Sequence, residues 1–341
     1  MQRCSRIAFG ASSVSRCTGT HIWSSGSIHC LLVLLGLLCT LQVAFADAYQ
    51  STVVPFRLVH DFAVIVPVTL NGHGPYDFML DTGSTVTAVD GELGQELALQ
   101  GEGQGTVTTL TQHFSASIAL VRQVGFGPIT EQNIEVMVRD LSGLRHIAPT
   151  ARGVLGQNAL NHADFLLDYQ HKRLQFDVNG ELVPLLGGHH VPLRRDATPD
   201  NPGYANLAVH ASITENGAHP MDLLLDSGAA SPVIFGRAAD GAIGRFEGFV
   251  ADTEGRRLLA GVRDFRVEID GKSRELLMNV LAFQGAGSSV GGLLPTRIFS
   301  QLYISNTGGF AIFEPKVKKS RSSDRMLADL PPQPPGHGPK S

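Results

Sequence analysis

Two short stretches carry residue types that could do acid–base chemistry: Asp81-Thr82-Gly83-Ser84 and Asp226-Ser227-Gly228-Ala229. Each aspartate closes an apolar run, "YDFML" or "MDLLL", so the chain leads a carboxylate out of a buried strand and bends it there. Such a carboxylate is costly unless hydrogen bonds satisfy it or chemistry uses it. If the two turns met, the carboxylates could not both ionise cheaply and would hold one proton between them. One member could then act as a general base for a water molecule and the other as a general acid.

The surrounding frame argues that they do meet. A lone Asp-Thr/Ser-Gly turns up by chance in roughly one chain in six of this length and usually marks a plain turn. Here "NGHGPYDFMLDTGS" from Asn71 and "NGAHPMDLLLDSGA" from Asn216 align without a gap, 145 residues apart, so the chain contains one unit twice. Each unit reads as a strand ("AVIVPVTL" or "ANLAVHASI"), an Asn-Gly hairpin turn, and a second strand ending on the aspartate.

A second echo follows each turn. "GVLGQNALNHADFLLDYQHKRLQF" from Gly153 and "GLLPTRIFSQLYISNTGGFAIF" from Gly292 each give a Gly-apolar-apolar segment, a short helix-like stretch and a closing strand. The expected fold is all-β, with two homologous barrel-like lobes about a pseudo-two-fold axis and few short helices. The lobes take residues 52–185 and 205–315, with "LGGHHVPLRRDATPDNPG" inside a linker over 186–204.

The 341 residues include 38 glycines and few aromatics, which suits short strands joined by turns, and the net charge of −4 leaves no basic footprint for nucleic acid. The first residues read as a targeting segment. Arg3, Arg6 and Arg16 stand without an acid, "LLVLLGLLC" is an apolar core, and Ala44 and Ala46 have the spacing of a signal-peptidase site, so residues 1–46 are expected to be removed. An uncleaved anchor is the alternative, but Leu31 to Ala46 falls short of the roughly 20 residues a spanning helix needs. A lipoprotein reading of Cys39 lacks a small residue at Leu38.

All four cysteines, Cys4, Cys17, Cys30 and Cys39, precede that site, so the mature chain would carry no disulfide, thiol nucleophile or cysteine metal site. An exported, periplasmic or extracellular protein of a bacterial envelope fits, with no stable membrane insertion of the mature chain. Residues 316–341, basic and then proline-rich, read as a disordered tail.

On the two Asp-Thr/Ser-Gly turns and the Gly-apolar-apolar elements, the sequence resembles the aspartic peptidases of the pepsin and retropepsin group. It is most similar to bacterial two-lobed members with retropepsin-like motifs. The resemblance implies an aspartic endopeptidase with a polypeptide substrate and no metal or organic cofactor, working as a monomer because one chain supplies both lobes. It implies that Asp81 and Asp226 are the catalytic pair and that Thr82 and Ser227 tie the turns together through their hydroxyls. Gly83 and Gly228 would let backbone lie against the carboxylates, and Ser84 would hydrogen-bond Asp81. Ala229 stands where pepsin-like second lobes carry a hydroxyl, which should raise the pair's acidic pKa and give an optimum above about pH 3. Pro295 replaces the first lobe's Gly156 and puts the second supporting turn in question. The substrate-covering hairpin should lie between Gly101 and Leu120, without the tyrosine of pepsin-like flaps.

Rival sites are weaker. Gly101, Gly103 and Gly105 lack GxGxxG spacing and read as a turn. His189 and His190 sit in the linker, His162 and His171 would fall on opposite sides of a helix, and no HExxH occurs. "GSSVG" offers Ser289 as a serine-hydrolase nucleophile, but the following Asp324, Asp329 and His337 lie in the tail. A non-catalytic envelope protein that binds peptide in the same cleft is the other class, although degenerate copies usually lose a catalytic residue and here both aspartates and both glycines remain.

Overall fold

The computed structural model describes residues 52–108, 113–198, 201–214, 218–235, 246–251, 257–281 and 290–317. The expected signal segment 1–46, Asn216-Gly217, Ser289 and residues 318–341 of the expected tail lie outside the described residues.

The first lobe runs β1 (Val53–Pro55), β2 (Arg57–Val59), β3 (Ala63–Leu70), β4 (His73–Leu80), β5 (Ala88–Asp90), α1 (Gly91–Glu96), β6 (Gly101–Thr108), β7 (His113–Phe126), β8 (Ile129–Arg139), α2 (Ser142–Ile147), β9 (Ala151–Leu155), α3 (Gln157–Leu160), β10 (Asp164–Asp168) and β11 (Arg173–Phe176). After β12 (Leu186–Gly187) come β13 (Val191–Thr198), β14 (Asn201–Thr214), β15 (Ala218–Asp226), β16 (Val233–Phe235), β17 (Phe246–Ala251), β18 (Arg257–Ile269), β19 (Lys272–Leu281) and β20 (Gly292–Pro295). A 3-10 turn over Thr296–Ile298 precedes β21 (Gln301–Ser305), β22 (Phe310–Phe313) and β23 (Lys316–Val317). The all-β class and the two equivalent lobes match the expectation from sequence.

Equivalent strands do equivalent work. β4 and β15 are exposed at their outer ends and fully buried where they approach the aspartate. Asn71 and Gly72 both take left-handed backbone, φ 51° and 80°, the twist that a two-residue hairpin needs between β3 and β4. Each aspartate strand is then braced by a parallel partner from the Gly-apolar-apolar segment: Leu80 lies opposite Leu155 on β9, and Leu225 opposite Leu294 on β20. Glycine opens those segments because backbone crosses there: a Cβ on Gly292 would stand 2.1 Å from the Val233 carbonyl oxygen. Leu80 and Leu225 are both fully buried in one core that spans the lobes, so truncating either to alanine should cost about 2–5 kcal/mol.

The sheets divide differently from the sequence units. An eight-stranded sheet in the order β2-β3-β4-β9-β5-β8-β7-β6 makes the first lobe. The thirteen-stranded sheet begins β1-β11-β10-β21-β22-β13 and continues into the second lobe. β10 and β21, the two closing strands, pair antiparallel and join the lobes. Two boundaries change in consequence. The segment 186–204, read as a linker from its glycines and prolines, holds β13, because Val191 and Pro192 pair with Ala311 and Phe310 while Leu193 to Ala197 pair with β14. Lys316 and Val317, read as the start of the tail, pair with Gly187 and Leu186.

Candidate active site

Asp81 and Asp226 stand at the ends of β4 and β15, and the fold brings them together. The two carboxyl groups are close enough that each shifts the other's titration. The glycines show how close the turns lie: a Cβ on Gly83 would be 2.5 Å from Cγ of Asp226, and one on Gly228 would be 2.7 Å from Cγ of Asp81. Each carboxyl therefore rests on the other lobe's glycine, where any side chain would displace it.

Below the carboxyls the turns are cross-linked. The Thr82 hydroxyl donates to the Leu225 carbonyl at 2.7 Å and accepts from the Ser227 N–H at 3.0 Å. The Ser227 hydroxyl donates to the Leu80 carbonyl at 2.8 Å and accepts from the Thr82 N–H at 3.0 Å. Both side chains are nearly or fully buried, so losing either would strand backbone groups without water.

Backbone N–H groups hold the carboxylates. Oδ1 of Asp81 accepts from Gly83 at 2.9 Å and Ser84 at 3.2 Å, and Oδ1 of Asp226 accepts from Gly228 at 2.8 Å and Ala229 at 3.0 Å. Burial overrides these bonds. It raises the pKa of Asp81 above the ordinary aspartate value and, with the Asp81 charge added, pushes Asp226 well above it.

Ser84 is hydrogen-bonded to Asp81, by its N–H rather than by its hydroxyl. That hydroxyl donates to the Val86 carbonyl at 2.9 Å, and Ser84 serves Asp81 through its N–H alone. Ala229 matches it N–H for N–H, so the raised pair owes its shift to burial and proximity rather than to a missing hydroxyl. Thr82 and Ser227 lie in the cross-link between the turns, and Gly83 and Gly228 lie against the opposite carboxyls.

Several other assignments change. Gly101, Gly103 and Gly105 belong to strand β6 rather than a turn, and β7 packs where side chains at two of them would be: a Cβ on Gly101 would sit 2.6 Å from Ser117 Oγ and one on Gly105 3.0 Å from Ile118. β6 and β7 do form a hairpin within 101–120, with tip residues 109–112 outside the described ones. The histidines serve structure. His162 follows α3 and His171 lies in the β10–β11 turn, so no helix carries both; His171 donates to Asp168, and His190 stacks on Phe310 at 4.1 Å.

Sequence reasoning missed two things. β17 and β18 form a second hairpin with the register of β6 and β7: Gly248 opposes Ala260 as Gly105 opposes Ala116, each glycine lying under a β-branched side chain, Val262 or Ile118. Small residues in long apolar strands gave too weak a signal. It also missed Tyr169 and Thr296, whose hydroxyls meet at 2.6 Å across the lobes behind Asp226.

Residues 66–159 match the model of the Aspartyl protease family. Among solved structures, the chain is similar to a retropepsin-like aspartic protease from Rickettsia conorii, at 21% identity over 36% of this chain and 87% of that one, with a TM-score of 0.28. No curated protein matches it. In its matched residues the chain resembles the aspartic proteases.

Proposed function

We propose that the protein is an aspartic endopeptidase in which Asp81 and Asp226 are the catalytic pair. The observation that carries the reading is the close approach of the two carboxyls, each against the other lobe's glycine, over the Thr82–Ser227 cross-link. A surface acid would be ionised and solvated. These two are pressed together and share a proton, the state that the chemistry needs at mildly acidic pH.

In the reaction a water between the carboxyls loses a proton to the ionised member and attacks the peptide carbonyl carbon. The protonated member hydrogen-bonds the oxygen on which negative charge develops. The tetrahedral intermediate collapses as the C–N bond breaks and a proton reaches the departing amine. The titration belongs to the pair, so neither aspartate alone is the acid or the base. The β6–β7 and β17–β18 hairpins are the elements that would cover an extended polypeptide. An exported location follows from residues 1–46 and is part of the same proposal.

The test is incubation of the chain lacking residues 1–46 with denatured protein from acidic to mildly alkaline pH. Cleavage with an acidic to near-neutral optimum, lost in Asp81→Asn and Asp226→Asn, supports the proposal. Cleavage that survives both substitutions overturns it, and binding without cleavage favours the peptide-binding alternative.

A further inference from the structure

The two turns that support the aspartates are held in unlike ways. Behind Asp81 the first lobe holds its own turn. The Gly156 N–H donates to the Thr87 hydroxyl at 3.2 Å, that hydroxyl donates to Asn158 Oδ1 at 2.8 Å, and the Gln157 and Asn158 N–H groups reach the Ser84 and Thr85 carbonyls. At the equivalent positions behind Asp226, Pro232 has no hydroxyl to offer and Pro295 no N–H to donate. Both ends of the Gly156–Thr87 bond are gone together, so no orphan remains, and no tie either.

The second lobe still supplies ties of its own, Arg274 donating to the Ile298 carbonyl at 3.1 Å and the Asn279 side-chain amide to the Ser231 hydroxyl at 2.8 Å, and the first lobe adds others. Thr296, one residue beyond the strand partner of Asp226, is fully buried and shares a 2.6 Å hydrogen bond with the Tyr169 hydroxyl. The Tyr169 N–H donates to the Ser300 carbonyl at 3.0 Å, so the tyrosine grips both sides of the 3-10 turn. Arg297 reaches the Asp61 carbonyl in the first lobe at 2.7 Å. Gln157, the counterpart of Thr296, has no side-chain partner among the described residues. Tyr169 packs edge-on against Phe56, with ring centroids 5.8 Å apart, which fixes its ring before the hydroxyl is placed. Burial keeps its phenol protonated far above neutral pH.

We infer that Tyr169 is a positioning residue for Asp226: by bonding Thr296 it sets, from the first lobe, the turn that braces the second catalytic aspartate. The second half of the site then depends on docking of the first lobe as well as on the bonds from Arg274 and Asn279 of its own lobe. This rests on the reading of Asp81 and Asp226 as the working pair, and its test has an arm that does not.

Tyr169→Phe keeps the ring on Phe56 and removes only the hydroxyl, and Thr296→Val removes the partner. In the full mature chain, each should speed amide hydrogen exchange over Thr296–Phe299 about tenfold while Gln157–Asn161 stays unchanged, the loss of one buried hydrogen bond. On a peptide substrate each should lower kcat by roughly tenfold with KM changed less than about twofold. The double variant should be no worse than either single, and Thr296→Ser should recover wild-type behaviour. Equal acceleration of exchange in both turns, or in neither, overturns the inference. So does a loss of activity that falls on KM. If the wild type cleaves nothing, the exchange arm still decides the positioning role, and only the peptidase reading fails.

Discussion

The turn at Asp81 is held within its own lobe, and the turn at Asp226 is held from both lobes. Around Asp81 the hydrogen bonds that fix the turn run to Thr87 and Asn158 of the same lobe, whereas around Asp226 the bonds from Arg274 and Asn279 of its own lobe are joined by bonds to Tyr169 and Asp61 across the interface. The carboxylates themselves see nearly the same surroundings, two backbone N–H groups each and a glycine from the opposite lobe. The difference teaches that a duplicated unit keeps the groups that touch the reacting atoms and lets the scaffold behind them diverge. A mutual, two-fold contact such as Thr82–Ser227 constrains both copies at once. A supporting bond within one copy can be lost whenever something else holds the turn.

Variants can break or sharpen that contrast. The largest effect belongs to the pair: Asp81→Asn or Asp226→Asn should each lower kcat by about a thousandfold or more, and the double should be little worse, because a shared proton acts as one unit. Burial raises both aspartates above their unfolded value, so the folded state binds the shared proton more tightly. Its stabilising contribution is therefore full below about pH 4 and fades as pH rises through the raised folded value. Asp226→Asn should flatten that decline in a series of thermal melts across pH, and an unchanged slope would count against the raised pKa.

Next come the glycines. Gly83→Ala and Gly228→Ala each drive a methyl into the opposite carboxyl and should cost on the order of a hundredfold in kcat. Near-equal losses would show that the two-fold symmetry at the carboxyls is functional, and a loss confined to one glycine would break the comparison. The cross-link is smaller: Thr82→Val and Ser227→Ala should each destabilise the fold by about 1–3 kcal/mol, read from denaturant midpoints. Smallest are Ser84→Ala and Ala229→Ser. Because the Ser84 hydroxyl is spent on the Val86 carbonyl, both should leave kcat within about twofold and the pH profile in place.

What the sequence disclosed follows the same division. The two Asp-Thr/Ser-Gly frames, their apolar strands and the Gly-apolar-apolar braces were legible because each rests on local patterning or on a glycine no other residue can replace, as at Gly153 and Gly292. The all-β lobes followed from them. Less could be read where an element owes its form to a distant partner. β13 looks like a linker until β22 and β14 pair with it. Gly101 and Gly105 look like parts of a turn until Ser117 and Ile118 fill the space beside them. Tyr169 follows an apolar strand as many tyrosines do, and its bond to Thr296 spans 127 residues of sequence. The contact between Ser84 and Asp81 was legible, but not that the N–H makes it while a carbonyl two residues away takes the hydroxyl.

One consequence of the β10–β21 pairing concerns dilution. Asp164–Asp168 and Gln301–Ser305 form a continuous backbone ladder between halves that the same chain already tethers. Reunion after any opening is a first-order event at an effective concentration near the millimolar range or above, whatever the amount of protein in solution. A site built from two separate copies would come apart as the protein became scarce. Here the two carboxyls stay neighbours down to a single molecule.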